Sequence, residues 1–81
     1  MITKEELLKN LDKIHTTELG VERIKKNLKI NTEDVVEFCV DKIKDSESKV
    51  YIEGKNYYII NGSIKLTVNR SSFTIITAHL V

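Results

Sequence analysis

The sequence predicts an α+β fold: two to three N-terminal helices packed on a four-stranded antiparallel β-meander, in one domain spanning residues 1–81. Three observations predict it. Apolar residues recur at three- and four-residue spacing as far as about residue 44. After the polar segment 45–48, the apolar pattern becomes alternating. Turn signals then recur at Gly54-Lys55, at Asn61-Gly62 and at residues 69–72.

Capping residues place the first two helices. Thr3 and Glu6 form a capping-box pattern ahead of the first apolar stripe. A second helix is predicted over about Glu18–Leu28, with Thr17 in front of it, because threonine is a good N-cap and a poor helix-interior residue. Gly20 inside this helix costs roughly 1 kcal/mol relative to alanine. That cost indicates close approach of another backbone or a ligand, or a simple packing need.

The third helix and the strands follow in order. Asn31 or Thr32 is expected to cap a helix over about Glu33–Lys44. Asn61-Gly62 is typical of a type I′ hairpin turn. The four strands are predicted at Lys49–Glu53, Asn56–Ile60, Ser63–Val68 and Phe73–Leu80. The helical residues expected in the core are Leu7, Leu8, Leu11, Ile14, Leu19, Ile24, Leu28, Val35, Val36, Cys39, Val40 and Ile43.

Composition narrows the class of protein. The chain is 41% hydrophobic and 31% charged, which is typical of a globular domain. Its longest apolar runs fall far short of the ~20 residues needed to cross a bilayer, so we expect no membrane segment. The N-terminus does not have the pattern of a signal peptide. The only cysteine, Cys39, excludes an intrachain disulfide, and we therefore expect a cytoplasmic protein.

Charge is nearly balanced but unevenly distributed. The net charge is +1, so bulk attraction to nucleic acid is weak. Residues 1–48 hold 9 basic and 11 acidic side chains, whereas residues 49–81 hold 4 basic and 1 acidic. A basic cluster at Arg23, Lys25, Lys26 and Lys29 could hold a small anion, or could simply be a solvated helix face.

Several chemistries have no motif behind them. No His-x₃-His or Cys-x₂-Cys pair is present, and the two histidines are 64 positions apart, so no metal site is predicted. The three glycines are isolated, which excludes the phosphate-binding loops of nucleotide-binding folds. A Gly-x-Ser-x-Gly elbow is also missing. We therefore expect no cofactor.

The remaining chemistry lies at the two ends of the chain. One end offers His15 and Arg23, and the other offers Thr77 and His79. These four are the predicted catalytic residues of a metal-independent ribonuclease, in which one imidazole takes the 2′-hydroxyl proton and the other protonates the leaving oxygen. Residues expected to bind or orient the ligand are Thr16, Thr17, Lys26, Lys55, Tyr57, Asn69 and Ser72.

Each of these residues also has a structural interpretation. His15 could cap a helix or lie at the edge of the core, and His79 could be a solvent-facing strand end. Tyr57 and Tyr58 could stack on bases, but neighbouring aromatic residues of a strand more often form one core ring and one surface ring. The same groups could bind a phosphorylated ligand without any chemistry.

The segments His15–Ile24, Gly54–Tyr57, Thr67–Asn69 and Ser72–His79 resemble a family of short bacterial proteins catalogued as a domain of unknown function. The resemblance covers nearly the whole chain and implies no established activity. At the level of fold, the chain is also similar to small metal-independent RNases such as barnase, colicin-type tRNases and RelE toxins. That likeness implies active-site residues on a helix and on the late strands. The near-neutral charge departs from those RNases, which are often basic.

Two functions are therefore predicted as alternatives. The first is an RNA-directed endoribonuclease, acting as a toxin. The second is a non-catalytic binding module: a regulator, an anti-defence inhibitor or a sponge for a small phosphorylated ligand. RNA, such a ligand or a protein would be the partner. The edge strands of so short a sheet are also compatible with a homodimer.

Overall fold

The computed structural model describes the backbone of residues 2–81 and the side chains of residues 4–81. Over these residues, helices precede strands, which confirms the predicted α+β class. A short 3-10 turn, Leu11–Lys13, follows the first helix. The elements are α1 (Ile2–Leu8), α2 (Glu18–Leu28), α3 (Val35–Lys44), β1 (Lys49–Glu53), β2 (Asn56–Asn61), β3 (Ile64–Asn69) and β4 (Ile75–Leu80).

The four strands form one sheet in the order β1-β2-β3-β4, and each neighbouring pair is antiparallel. The predicted meander is therefore confirmed. Gly54, at φ +62°, opens the β1–β2 turn. Asn61 pairs with Ile64, so the β2–β3 loop is Gly62 and Ser63. The predicted type I′ turn at Asn61-Gly62 is wrong, because only Gly62, at φ +59°, has the positive φ that type I′ requires at two positions.

The core lies on one face of this sheet. Alternation puts Tyr57 and Ile59 of β2 on that face, and both are 0% exposed. Buried side chains from all three helices join them in a single cluster. The helices therefore cover one face of the sheet and not the other. The cluster contains Leu7, Ile14, Ile24, Leu28, Val35, Cys39, Ile43, Val50, Tyr57, Ile59, Leu66, Val68, Ile75 and Ala78.

The first helix is shorter than its apolar stripe suggests. It ends at Leu8, and the Asn10 amide donates a 2.9 Å hydrogen bond to the Glu6 carbonyl in its last turn. An asparagine side chain competes in this way with helical backbone bonds. Leu7 and Ile14 are buried as predicted, but Leu8 is exposed. The predicted capping by Thr3 lies outside the side chains that the structure describes.

The second helix has the predicted bounds, and its predicted cap is confirmed. The Thr17 hydroxyl accepts a 3.0 Å hydrogen bond from the Gly20 amide. Leu19, predicted in the core, is instead 75% exposed. The buried stripe runs through Gly20, Ile24 and Leu28 at four-residue spacing, and Leu19 lies 100° away from it around the helix.

The third helix starts two residues later than predicted, at Val35. Its cap is neither Asn31 nor Thr32 but Asp34, whose carboxylate accepts a 2.9 Å hydrogen bond from the Glu37 amide. A carboxylate at this end of a helix also interacts favourably with the helix dipole. The three candidate caps are close in sequence and differ little in capping strength, so local preference alone does not separate them.

Cys39 makes stability sensitive to alkaline pH. Burial raises the pKa of its thiol to about 12, whereas an unfolded cysteine titrates near ~8.5. The thiol's contribution is therefore complete below pH ~8.5 and is lost as pH rises through the folded pKa. We expect urea unfolding to show about 2 kcal/mol less stability at pH 10 than at pH 8. Cys39→Ala should be less stable than the parent protein at pH 8, but its free energy of unfolding should change little between pH 8 and pH 10. An equally steep fall in the stability of that variant would contradict the assignment to Cys39.

Candidate functional site

The structure brings the two chemistry-bearing ends of the chain together. The His15 amide donates to the Phe73 carbonyl at 3.2 Å, and the Ile75 amide donates to the His15 carbonyl at 2.8 Å. These bonds form a short parallel bridge beside β4. The Thr16 hydroxyl adds a 3.0 Å hydrogen bond to the Ile75 carbonyl. Backbone pairing therefore holds His15 at the start of the last strand.

A chain of side-chain hydrogen bonds runs out from His15. Its Nδ1 lies 2.8 Å from the Lys13 carbonyl oxygen, and its Nε2 lies 3.1 Å from Thr74 Oγ1. Thr74 Oγ1 lies 2.8 Å from Ser72 Oγ, and the single hydrogen of the Ser72 hydroxyl is within reach of both Thr74 Oγ1 and Asn69 Oδ1, which is 3.2 Å away. We call Lys13, His15, Asn69, Ser72 and Thr74 the His15 corner.

The Lys13 carbonyl decides which imidazole nitrogen carries the hydrogen. A carbonyl oxygen can only accept, so Nδ1 must donate to it. In the neutral ring, Nε2 is then the acceptor and the Thr74 hydroxyl donates to it. The imidazole therefore presents a basic nitrogen toward a hydroxyl group, with its other nitrogen fixed by the backbone.

A tight turn holds the hydroxyl groups in place. Asn69 Oδ1 accepts from the amides of Ser71 and Ser72, and the Phe73 amide donates to the Asn69 carbonyl at 2.9 Å. Phe73 has φ +57°, a left-handed conformation that is unusual for a bulky residue and costs roughly 1–3 kcal/mol. Its backbone bonds to His15 and Asn69 offset this cost and keep the residues on either side of Phe73 in position.

Two cations flank the corner. Lys13 Nζ lies 5.7 Å from the centre of the Phe73 ring. The Arg70 guanidinium lies 5.7 Å from the Tyr57 ring centre and 3.9 Å from a Glu6 carboxylate oxygen. The Arg70 amide also donates to the Lys55 carbonyl at 2.9 Å, so the β1–β2 turn adjoins the corner. Lys13 and Arg70 therefore bring positive charge to this region, and Glu6 partly offsets that of Arg70.

The structure does not bring the two histidines together. His79 is exposed and pairs with Lys65 on β3. It lies five positions after Thr74 along extended chain, a span of about 16 Å. Thr77 lies between them, pairs with Thr67 and is half-buried. Of the four predicted catalytic residues, His15 alone lies in the corner.

The predicted ligand-binding residues divide into those at or beside the corner and those that lie elsewhere. Asn69 and Ser72 belong to the corner, and Lys55 is exposed on the turn beside it. Thr16 and Thr17 use their hydroxyls to hold the backbone, as described above. Arg23 and Lys26 are exposed on α2. Tyr57 is fully buried, and its hydroxyl donates to the Glu6 carboxylate, so it serves the core.

Sequence reasoning missed Thr74, although it lies inside the Ser72–His79 segment. Nothing in the sequence signals the positive φ of Phe73, which decides where the neighbouring hydroxyls lie. Sequence reasoning named Tyr57 and Tyr58 together as rings that could stack on bases, and the structure puts Tyr57 in the core and Tyr58 on the opposite face.

The second polar feature is the uncovered face of the sheet, which we call the outer face. Tyr51 and Tyr58 are direct cross-strand neighbours there, with ring centres 5.3 Å apart and ring planes 18° from parallel. Lys65 Nζ lies 5.0 Å from the Tyr58 ring centre. The outer face consists of Lys49, Tyr51, Glu53, Asn56, Tyr58, Ile60, Lys65, Thr67, Asn69, Thr77 and His79.

Within residues 2–81, no helix is long and apolar enough to span a membrane. In the same part of the chain, no three His, Cys, Asp or Glu side chains lie close enough together to hold a metal ion.

Fold and site define a small α+β domain with helices on one face of its sheet and a histidine–hydroxyl corner at the edge. The chain belongs to the family described as "Protein of unknown function (DUF3781)", which matches residues 8–79. This confirms the resemblance to a domain of unknown function. No curated protein and no solved structure matches the chain.

Proposed function

We propose that this protein is an RNA-binding module that holds a phosphate group of the RNA at the His15 corner. The observation that carries the proposal is the ordered set of imidazole and hydroxyl groups at the corner, with Lys13 and Arg70 beside them. Hydroxyl groups and cations are what proteins commonly use to bind phosphate. A phosphate oxygen only accepts hydrogen bonds, so the Ser72 hydroxyl can turn toward it while the Thr74 hydroxyl stays on His15 Nε2.

The geometry favours binding over catalysis by two histidines. In RNA transesterification, the attacking 2′-oxygen and the leaving 5′-oxygen are attached to the same phosphorus atom. A general base and a general acid must each come within about 3 Å of these oxygens. Imidazoles on residues about 16 Å apart along a strand do not meet this requirement. The pairing of His15 with His79 is therefore no part of the proposal.

Cleavage that uses His15 alone is the second candidate function. It is favoured by the bond from His15 Nδ1 to the Lys13 carbonyl, because a fixed imidazole is what a general base needs. Nε2 would take the 2′-hydroxyl proton as the 2′-oxygen bonds to phosphorus. The bond from phosphorus to the 5′-oxygen would break, and that oxygen would take a proton from water. The products are a 2′,3′-cyclic phosphate and a 5′-hydroxyl.

The other predictions about partners stay predictions. A small phosphorylated ligand would use the same corner and would compete with RNA for it. A homodimer through the edge of β1, which pairs only with β2 among the described strands, is tested by sedimentation at several protein concentrations.

The test is binding of a labelled 12-nucleotide RNA, measured by fluorescence anisotropy at low salt. We expect Lys13→Gln to weaken binding about tenfold, since a hydrogen bond to a charged group contributes about 1.5–3 kcal/mol. We expect a similar loss in His15→Gln, because the imidazole holds the Thr74 hydroxyl against which Ser72 is positioned. Lys44→Gln removes the same charge as Lys13→Gln from an exposed site on α3 and is expected to bind like the parent protein.

Two results would contradict this function. Undetectable RNA binding by the parent protein would exclude it. An equal loss of RNA affinity in Lys13→Gln and Lys44→Gln would show that binding depends on overall charge and not on the His15 corner. Incubation with EDTA followed by a denaturing gel separates the two candidates. Intact RNA means binding alone, whereas fragments ending in 2′,3′-cyclic phosphate that disappear in His15→Gln mean cleavage.

A further inference from the structure

We infer that the outer face of the sheet is a stacking surface for unpaired bases, so that the preferred ligand is single-stranded RNA. The inference rests on the proposed function for the kind of ligand, and on different residues for the site. It assigns a role to Tyr51, Tyr58 and Lys65, none of which belongs to the His15 corner.

The two tyrosines form one aromatic surface. They pair directly across β1 and β2, and their nearly parallel rings lie 5.3 Å apart between centres. Tyr51 is 41% exposed although its ring is large and apolar. Tyr58 is half-buried beside it. By contrast, the ring of Tyr57, the residue before Tyr58, is 0% exposed because it lies in the core. Aromatic rings accessible on a sheet are what unpaired bases stack on, because every base has a π-face.

Positive charge lies beside this surface. Lys49, Ile60, Lys65 and His79 form one cross-strand row, next to the row that contains the tyrosines. Residues 49–81 hold 4 basic side chains and 1 acidic one, Glu53. Glu53 lies on the same face, but in the row of Asn56 and Asn69 on the far side of the tyrosines from Lys49. The row therefore offers cations to phosphates while the neighbouring row offers rings to bases.

The outer face and the His15 corner lie in line. Along β3, Lys65 belongs to the charged row, Thr67 to the row of the tyrosines, and Asn69 to the corner. Asn69 lies four positions after Lys65 along the strand, about 13 Å away. One strand of a few nucleotides can therefore contact the charged row, the two rings and the corner together.

This geometry distinguishes single strands from duplexes. Stacking needs a base whose flat face is free, and in a duplex every base face except those at the ends is already covered. The side chains along Tyr51, Tyr58, Thr67 and Thr77 cross the sheet as one row, so the surface is broad and shallow. Double-stranded RNA would meet only the cations.

The experiment compares the parent protein with Tyr51→Val and Tyr58→Val, singly and together, using a 12-nucleotide oligouridine and an RNA duplex of equal length. Valine suits a strand and removes the ring. We expect each single variant to bind the oligouridine about tenfold more weakly, and the double variant more weakly still, with little change in duplex binding. Phe38→Leu removes a half-buried ring from α3 and is expected to bind like the parent protein. Circular dichroism melts confirm that each variant is folded.

Each outcome decides one way. Weaker oligouridine binding by the tyrosine variants, together with tighter binding of oligouridine than of duplex by the parent protein, supports the inference. Equal affinity for the two RNAs, or unchanged affinity in folded tyrosine variants, overturns it. If that happens while Lys13→Gln and His15→Gln still weaken binding, the proposed function survives alone. A stable dimer that forms in the parent protein and dissociates in the tyrosine variants would also overturn it, because the outer face would then contact a second copy.

Discussion

Tyr57→Ala is expected to lower the free energy of unfolding by about 3–5 kcal/mol, the usual cost of deleting a large buried aromatic side chain. Tyr57 is 0% exposed at the centre of the core face and packs near the Phe73 ring, with centres 6.4 Å apart. Its hydroxyl donates to Glu6, so it also ties α1 to the sheet. Burial first, and then this hydrogen bond, raise the pKa of Tyr57.

Tyr58 provides the matched control, because it follows Tyr57 in the same strand and faces the other way. Tyr58→Ala is expected to cost about 1 kcal/mol, mostly from the lost contact with Tyr51. Urea denaturation of both variants measures the difference. If Tyr57→Ala fails to fold, Tyr57→Phe still tests the role of the hydroxyl, with an expected cost of about 1 kcal/mol. Equal losses at the two positions would show that the two faces of β2 are not distinct.

Gly20→Ala is expected to lower stability by about 1–2 kcal/mol, although alanine is the better helix former by roughly 1 kcal/mol. A Cβ at Gly20 would collide with the Thr16 hydroxyl. That hydroxyl is held by its hydrogen bond to the Ile75 carbonyl, so it cannot move away without loosening the contact between the two ends of the chain. Overpacking of this kind costs about 1–3 kcal/mol.

A double-mutant cycle tests this cause. Thr16→Ala alone removes the hydroxyl and its bond to Ile75, at a cost of about 1 kcal/mol. In that background, the nearest atoms to a new Cβ at residue 20 are Thr17 Oγ1 at 3.2 Å and Thr16 Cβ at 3.4 Å. Gly20→Ala should then cost little or nothing, and the two changes should couple by at least 1 kcal/mol. Additive thermal shifts, at about 4–8 °C for each kcal/mol, would exclude the clash.

Local patterns were enough to predict most of the fold. The change from helical to alternating spacing separates helices from strands, and β1 and α2 have the predicted bounds because turns and caps mark their ends. Errors fall where local signals are nearly equal. Asp34, not Asn31 or Thr32, caps α3, and the loop after β2 is moved by one residue. Small differences in local energy are settled there by packing against the rest of the chain.

The site was less accessible to sequence reasoning. His15, Asn69 and Ser72 were all predicted, but Thr74, which connects them, was not. The distance between His15 and His79 could not be read from the chain either. It depends on which residue of the last strand meets His15, and that is decided by the bridge to Thr74. A shift of this contact along β4 would have produced a different set of neighbours.

By itself, the sequence determined the class of fold and the order of its elements, because periodicity and turn chemistry act between residues a few positions apart. Only the tertiary structure decided that His15 meets Thr74 rather than His79, and that helices cover one face of the sheet while Tyr51 and Tyr58 stay on the other. Those outcomes depend on contacts between residues as many as 59 positions apart, whose pairing is selected by the packing of the whole core.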